Sequence, residues 1–284
     1  MLCQRWRKEV REQTSGEVVI RIYPDAQLGS QRVSMELMQN GALDMVKSNA
    51  AELESFGAAY SAFNLPYLFR DKEHLYKVGE GDIGREILDS TRGSGFVGLT
   101  YYSGGARSFY GKKPIKSPVD LNGMKVRVQP SPSAIAMIKA LGGNPTPLDQ
   151  GELYTALQQG VVDAADNSIP VFHLTRQSEV AKFYSQDEHI MVPDVLLVSS
   201  KTLNKLTPEQ QQVLYKAAAN SSELMKKLWA DSEVKERAAA EKAGVTFVSL
   251  DKAPFVVAVQ TMYAEIKRNN PVLDAMVERI KEVK

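Results

Sequence analysis

Met124-Lys125-Val126-Arg127-Val128-Gln129-Pro130 is the stretch from which the fold is read. Val126 and Val128 alternate with Lys125 and Arg127, the period-two pattern of a strand with one buried face. Gln129-Pro130 ends it, because proline has no N–H to give to a ladder. Downstream the rhythm continues with a helix over residues 133–141, a strand at 146–148, a helix over 152–159 and a strand at 161–164. Upstream, EVVIRIY (residues 17–23) reads as a strand closed by Pro24-Asp25. Ser30 caps a helix that runs to Asn40 and stops at Gly41, and a strand follows at 42–46. A helix over 73–88 and a strand over 95–101 complete the first half. Short strands alternating with short helices mark an α/β protein with mostly parallel sheets.

The last third changes character. Residues 190–199 read as one long apolar strand. Thr207-Pro208-Glu209-Gln210 then combines a capping hydroxyl, proline at the first helical position and a glutamine placed to complete a capping box. The helix it opens runs to about Ala243, longer than the ~8–20 residues usual in globular proteins, so it is expected to lie along two domains. No floppy linker separates them.

With 284 residues the chain suggests two domains at ~150 residues each. Its 35 basic and 34 acidic residues nearly cancel, which argues against a basic nucleic-acid-binding face. The single cysteine, Cys3, excludes an internal disulfide or a cysteine metal cluster. No apolar run reaches the ~18 residues of a membrane span. Residues 1–14 read as an amphipathic helix rather than a signal peptide.

Motifs for chemistry are few. Gly79-Glu80-Gly81-Asp82-Ile83-Gly84 matches G-x-G-x-x-G, but it follows a charged helical segment rather than a strand, and two carboxylates would repel a phosphate; it reads as a loop. His74, His173 and His189 lack metal-ligand spacing and read as surface or packing residues. The sequon Asn220-Ser221-Ser222 falls within a helix and is discounted. Arg127 is more informative. It stands near the carboxyl end of its strand, where ligands bind in open α/β sheets. A guanidinium there can fork onto a carboxylate, although a solvated strand face is the alternative. Arg107, after the Gly104-Gly105 turn, reads equally as a ligand group or an exposed loop residue. Asn167 reads as a ligand group or a turn former.

Several segments in order give the chain a family resemblance: Tyr23-Pro24 with Gln27-Leu28-Gly29, residues 41–45 (GALDM), 65–69 (LPYLF), 121–128 (LNGMKVRV) and 152–167. From about Thr14 onward the chain resembles the solute-binding proteins of tripartite ATP-independent periplasmic (TRAP) transporters, the DctP family. The resemblance implies a two-lobed, periplasmic-binding-protein-like α/β fold with hinge-crossing strands and a long helix spanning both lobes. Lobe I would comprise residues 1–104 plus 190–232, and lobe II residues 105–189 plus 233–284. It also implies a periplasmic location, membrane subunits of a sodium-coupled TRAP transporter as partners, no nucleic acid, and no catalytic residue, metal or cofactor.

The same resemblance gives Arg127 the grip on a ligand carboxylate, matches Arg107 and Asn167 to site positions, and places Gln31, Asn49, Glu52 and Gln150 at the cleft. Those four polar groups suit hydroxyls, and GARSFY (residues 105–110) resembles the sugar-acid branch. The implied ligand is a hexuronate or related sugar acid. Alternatives are a C4-dicarboxylate or other organic acid, an α/β enzyme with Asp163, Asp166 or Glu52 as base, and a sensor subunit with a kinase partner. The family's first strand has no counterpart before Thr14 in this sequence: either the start is truncated or the strand is absent, and its loss would leave sheet edges unpaired.

Overall fold

The computed structural model describes residues 2–284, with side chains from Gln4 onward. Nine strands form two sheets: β1 (Met45–Asn49), β2 (Phe96–Tyr102), β3 (Arg107–Gly111), β4 (Lys125–Val128), β5 (Asn144–Pro147), β6 (Ala164–Asn167), β7 (Phe183–Ile190), β8 (Asp194–Ser199) and β9 (Thr246–Val248). One sheet has the order β1-β8-β2, the other β5-β4-β6-β3-β7-β9. The sheets are mixed rather than mostly parallel. Only β4 with β5, β4 with β6, and β7 with β9 run parallel; β8 lies antiparallel to both its neighbours, and β3 to both of its own.

Local signals placed most elements. Ser30 Oγ accepts from Val33 N, and Gly41 closes the helix Gln31–Asn40 at φ 78°, the left-handed conformation that glycine adopts cheaply. The box at Thr207 and Gln210 opens Pro208–Lys242. Three readings change. The helix over 73–88 is two helices, Lys72–Glu80 and Asp82–Asp89, broken where Gly81 turns extended. The G-x-G-x-x-G match is therefore a helix junction and not a loop. The run 190–199 is split by residues 191–193, after which the chain leaves one sheet for the other.

Residues 17–23 do not form the strand their composition implies. Val18, Ile20 and Ile22 are half-buried while Val19, Arg21 and Tyr23 are exposed, so the alternation is present. Among the described residues, however, no strand pairs with them, and Val18 N donates to Thr14 Oγ1. Strand propensity describes a fit to a pleated surface, and without a neighbouring edge it yields only extended chain.

Two segments cross between the sheets, residues 103–106 and 191–193, and they touch. A Cβ at Gly104 would lie 2.4 Å from Val192 O, and one at Gly105 (φ +68°) would lie 2.7 Å from Trp229 Nε1. The 35-residue helix Pro208–Lys242 runs beside both sheets and is ~50 Å long at 1.5 Å per residue. Its buried residues fall in two groups: Leu214, Ala217, Ala218, Ser221 and Ser222 on one side, Glu236 and Ala240 on the other. None from 223 to 235 is fully buried.

The C-terminal helix Pro271–Glu282 packs on residues 58–64 and 82–89. His74 Nε2 lies 2.9 Å from Ile280 O, and Arg279 pairs with Glu86 at 2.8 Å. By packing, this helix thus sits with the three-stranded sheet, whereas the division read from the sequence groups residues 233–284 with the six-stranded one.

Candidate ligand-binding site

Arg127 is not on a solvated face. Its side chain is 1% exposed, among the largest fully buried groups in the molecule. Groups distant in sequence crowd its face of the sheet: Leu148 O, past the end of β5, meets its Nε, and Arg107, Tyr110, Asp166 and Glu52 act on it electrostatically. Nε donates to Leu148 O at 2.9 Å, while Nη1 is buried without a partner. No protein carboxylate pairs with the guanidinium among the described residues. Burial and the nearby Arg107 push its pKa below the usual arginine value. A buried cation with an unused fork is costly unless an anion completes it.

Glu52, in the helix Ala50–Leu53 that follows β1, acts electrostatically on Arg127. Neither of its carboxylate oxygens accepts a protein hydrogen bond among the described residues. Burial, then the Asp149 charge, raises its pKa to about 7. Gln150 begins the turn after Asp149, and its Nε2 is buried and unpartnered. Arg127, Glu52 and Gln150 therefore all keep polar valence for something other than protein.

The other expected contacts are largely engaged. Asn49 Oδ1 caps the helix at Ala51 N and accepts from Gln129 Nε2 at 2.9 Å, while Nδ2 donates to Asp194 at 3.0 Å. Gln31 Oε1 accepts from Asn49 N and Ser48 Oγ, leaving its amide N–H groups free of protein partners. Arg107 is neither exposed nor in a loop: it begins β3, with Nε donating to Asp166 Oδ2 at 2.6 Å, Nη2 to Asp166 O and Nη1 to Asn167 Oδ1. Asn167 Oδ1 also accepts from Ser168 N. Its own N–H groups have no protein partner among the described residues.

Behind the site runs a chain of buried charges that the sequence did not announce. His189 Nδ1 lies 2.7 Å from Asp187 Oδ2, and its Nε2 lies 3.4 Å from Asp166 Oδ2, too poorly aligned for a hydrogen bond. The imidazole stacks on Phe109 at 4.3 Å. These groups sit on a bulge in β7: Arg107 pairs with Ile190 and Phe109 with Ser185, so residues 186–189 loop out of register. Side chains replace the missing ladder, with Asp187 Oδ1 accepting from Phe109 N and Ser108 Oγ from Glu188 N. Alternating Asp187 and His189 on a buried strand was the available signal. His189 is thus a buried packing residue, stacked on Phe109 and bonded to Asp187, and not a surface one.

An apolar cavity of about 220 Å³ lies elsewhere, between residues 75–103 and the long helix, lined by Phe63, Leu75, Leu99, Tyr101 and Pro193. None of the residues above lines it, and the two cations on its wall are already paired, Arg85 with Asp89 and Lys226 with Glu80 and Glu223.

The family model described as DctP, bacterial extracellular solute-binding protein, family 7, matches residues 2–270. The chain belongs to the DctP family. This DctP-family protein is similar to a TRAP periplasmic solute-binding protein of Xanthobacter autotrophicus Py2 solved with bound β-D-galacturonate. The TM-score is 0.96 at 41% identity, covering 100% of this chain and 95% of that one. A second such protein, from Roseobacter denitrificans with bound β-D-glucuronate, gives a TM-score of 0.96 at 35% identity, covering 100% and 94%. Among curated relatives, the 2,3-diketo-L-gulonate-binding periplasmic protein YiaO of Escherichia coli K12 is 31% identical over 89% of this chain and 78% of its own length. No described helix of the DctP-family chain is long and apolar enough to cross a membrane.

The charge chain gives the DctP-family protein a pH signature. Arg107 and His189 hold the Asp166 carboxyl far below the usual range, although burial opposes this. Burial disfavours charged His189, but Asp187 and Asp166 outweigh it and raise its pKa from 6.5 to about 9. A group whose folded pKa is raised stabilises below its unfolded pKa and loses that contribution as pH rises through the folded one. Unfolding free energy by urea titration is therefore expected to fall between pH 6.5 and 9. His189→Gln should flatten that slope; an equal slope in the variant would assign the dependence elsewhere.

Proposed function

We propose that this protein is the extracytoplasmic solute-binding subunit of a TRAP transporter, and that it takes a hexuronate such as galacturonate or glucuronate into a cleft between two lobes. One lobe is built on the three-stranded sheet, from residues 1–104 and 190–232 with the C-terminal helix 271–282. The other is built on the six-stranded sheet, from residues 105–189 and 233–270. The observation that carries the reading is Arg127, a fully buried guanidinium with Nη1 unpaired and, among the described residues, no carboxylate hydrogen-bonded to it. A ligand carboxylate completes that fork with charge-assisted hydrogen bonds.

The remaining ligand contacts follow from what is left unpaired. Gln150 Nε2, the free N–H groups of Gln31 and Asn167, and the Glu52 carboxyl offer donors and an acceptor to ring hydroxyls. A bare dicarboxylate would leave some of them unpaired, at ~1–3 kcal/mol for each buried orphan. Arg107 acts as a positioning residue: it fixes Asn167 and the end of β6. Asn49 positions the helix that carries Glu52. Contacts from both lobes favour the closed state, and the crossings at 103–106 and 191–193 absorb the motion. The closed protein then hands its solute to membrane subunits in the periplasm, with uptake coupled to sodium. It performs no turnover.

A thermal shift of the purified protein against galacturonate, glucuronate, gluconate, succinate and sialic acid, followed by calorimetry, tests this. Saturable binding of a uronate and not of succinate is expected. Succinate binding alone would replace the sugar-acid reading with the dicarboxylate one, and conversion of any ligand would favour an enzyme.

The affinity should also titrate. Glu52 is half-ionised near pH 7, and an anionic ligand held by Arg127 prefers it neutral. The dissociation constant is expected to rise with pH above 7, by no more than about tenfold per pH unit because one proton is involved. Calorimetry at pH 6 and 8.5 checks this, and Glu52→Gln should remove the dependence.

A further inference from the structure

Glu54 touches neither Arg127 nor any other group assigned above to the ligand, yet its carboxylate is the most heavily hydrogen-bonded contact between the two sheets' elements. It stands at the end of the helix Ala50–Leu53, which follows β1 of the three-stranded sheet. Its partners begin the helix Pro132–Ala140, which follows β4 of the six-stranded sheet. Ser131 Oγ donates to Glu54 Oε2, Ser133 Oγ donates to Oε1, and Ser133 N donates to Oε2 at 3.3 Å. Ser131 Oγ also accepts from Ala134 N at 3.1 Å as the N-cap of that helix. A carboxylate from one sheet's helix thus completes the first turn of a helix from the other, where orphan N–H groups and the helix dipole favour negative charge.

The placement is what gives this contact a role. Residues 49, 52 and 54 lie along one short segment, and residues 127, 129, 131 and 133 along another. Asn49 meets Gln129 at 2.9 Å, Glu52 sits in the field of Arg127, and Glu54 meets Ser131 and Ser133. The Arg127 segment is therefore clasped on both sides of the site by the segment that carries Glu52. Neither clasp has a part in reading the ligand.

We propose that Glu54 is a closing latch: by capping the helix Pro132–Ala140 across the cleft it holds the closed state and so sets how fast solute is released. This rests on the two-lobed binding reading above and adds to it a positioning residue that does not contact the solute. A latch that holds the closed state slows opening and so acts on dissociation, as most affinity differences between related complexes do. A merely structural glutamate would lower stability and leave the rates alone.

The test is stopped-flow binding of galacturonate and glucuronate to the full chain and to Glu54→Ala, with small-angle scattering of each protein free and ligand-saturated. In Glu54→Ala, release is expected to be ~10–100-fold faster and association changed by less than about threefold. The saturated variant should contract less than wild type. Ser133→Ala, which spares the N-cap at Ser131, should show the same pattern at smaller size and serves if Glu54→Ala does not fold. Release within about twofold of wild type, with full contraction on saturation, would overturn the latch. If wild type binds no uronate, the functional reading falls, and the latch is judged from ligand-free scattering alone. There a larger radius of gyration for Glu54→Ala supports it and an unchanged one overturns it.

Discussion

Replacing Arg127 with alanine is expected to cost ~2–5 kcal/mol of uronate affinity, most of it from a desolvated ligand carboxylate left unpaired. That is a loss of roughly 30-fold to several thousand-fold. The guanidinium is fully buried, its only protein hydrogen bond among the described residues is from Nε to Leu148 O, and its Nη1 is unmatched. A cation in that state is one that the proposed ligand carboxylate would complete. The free protein should reveal this, because exchanging a buried charge without a counter-charge for an apolar group of similar volume is often neutral or stabilising. Arg127→Met is thus expected to abolish binding in calorimetry while leaving the ligand-free melting temperature unchanged or higher. Arg127→Lys should retain only part of the affinity, since an ammonium cannot present two parallel donors. A loss below about threefold for the alanine variant would take Arg127 out of the site.

Asp166→Ala is expected to do the reverse, costing ~3–5 kcal/mol of stability before ligand is considered. The carboxylate is 4% exposed, bonded to Arg107 at 2.6 Å, and 3.4 Å from His189. Removing it leaves a buried guanidinium without a counter-charge, and the desolvation cost of that group falls on the folded state alone. Urea unfolding at pH 7 measures the effect. The paired change Asp166→Leu with Arg107→Met should recover much of the loss, since deleting both charges removes the debt that deleting one creates. Asn167 would still lose its anchor in the double variant, so recovery of stability without recovery of uronate affinity is the expected result. A single-variant cost under ~1 kcal/mol would mean that water or relaxation compensates Arg107.

What was legible in the sequence was local. The alternation at 124–128, the left-handed stop at Gly41 and the box at Thr207 and Gln210 each depend on residues within a few positions of one another, and each element formed where those signals lie. The run 190–199 was misread because composition does not show a change of sheet; residues 191–193 interrupt it. Residues 17–23 were misread for the opposite reason, since the pattern was right and no strand among the described residues pairs with them. The site followed the same division. Arg127 announced itself through its strand, but its burial depends on groups distant in the chain, among them Leu148, Arg107, Tyr110 and Glu52. The pairing of Arg107 with Asp166 and of Asp166 with His189 joins residues far apart in the chain, and nothing in either segment alone specifies a partner.

The long helix has a mechanical consequence. It is gripped near residues 214–222 and again near 236–240, while the span between has no fully buried residue. Against that ungripped span lies Gly105, in one of the two crossing segments, with Trp229 and Glu233 directly over it. A rod clamped at both ends behaves as a leaf spring, because rotating one clamp relative to the other flexes the middle and stores elastic energy. If the lobes close as proposed, that motion would load the middle of this helix. Exposed mid-span positions such as Val234 are then where substitutions would alter the resistance to closure while leaving the proposed ligand groups untouched.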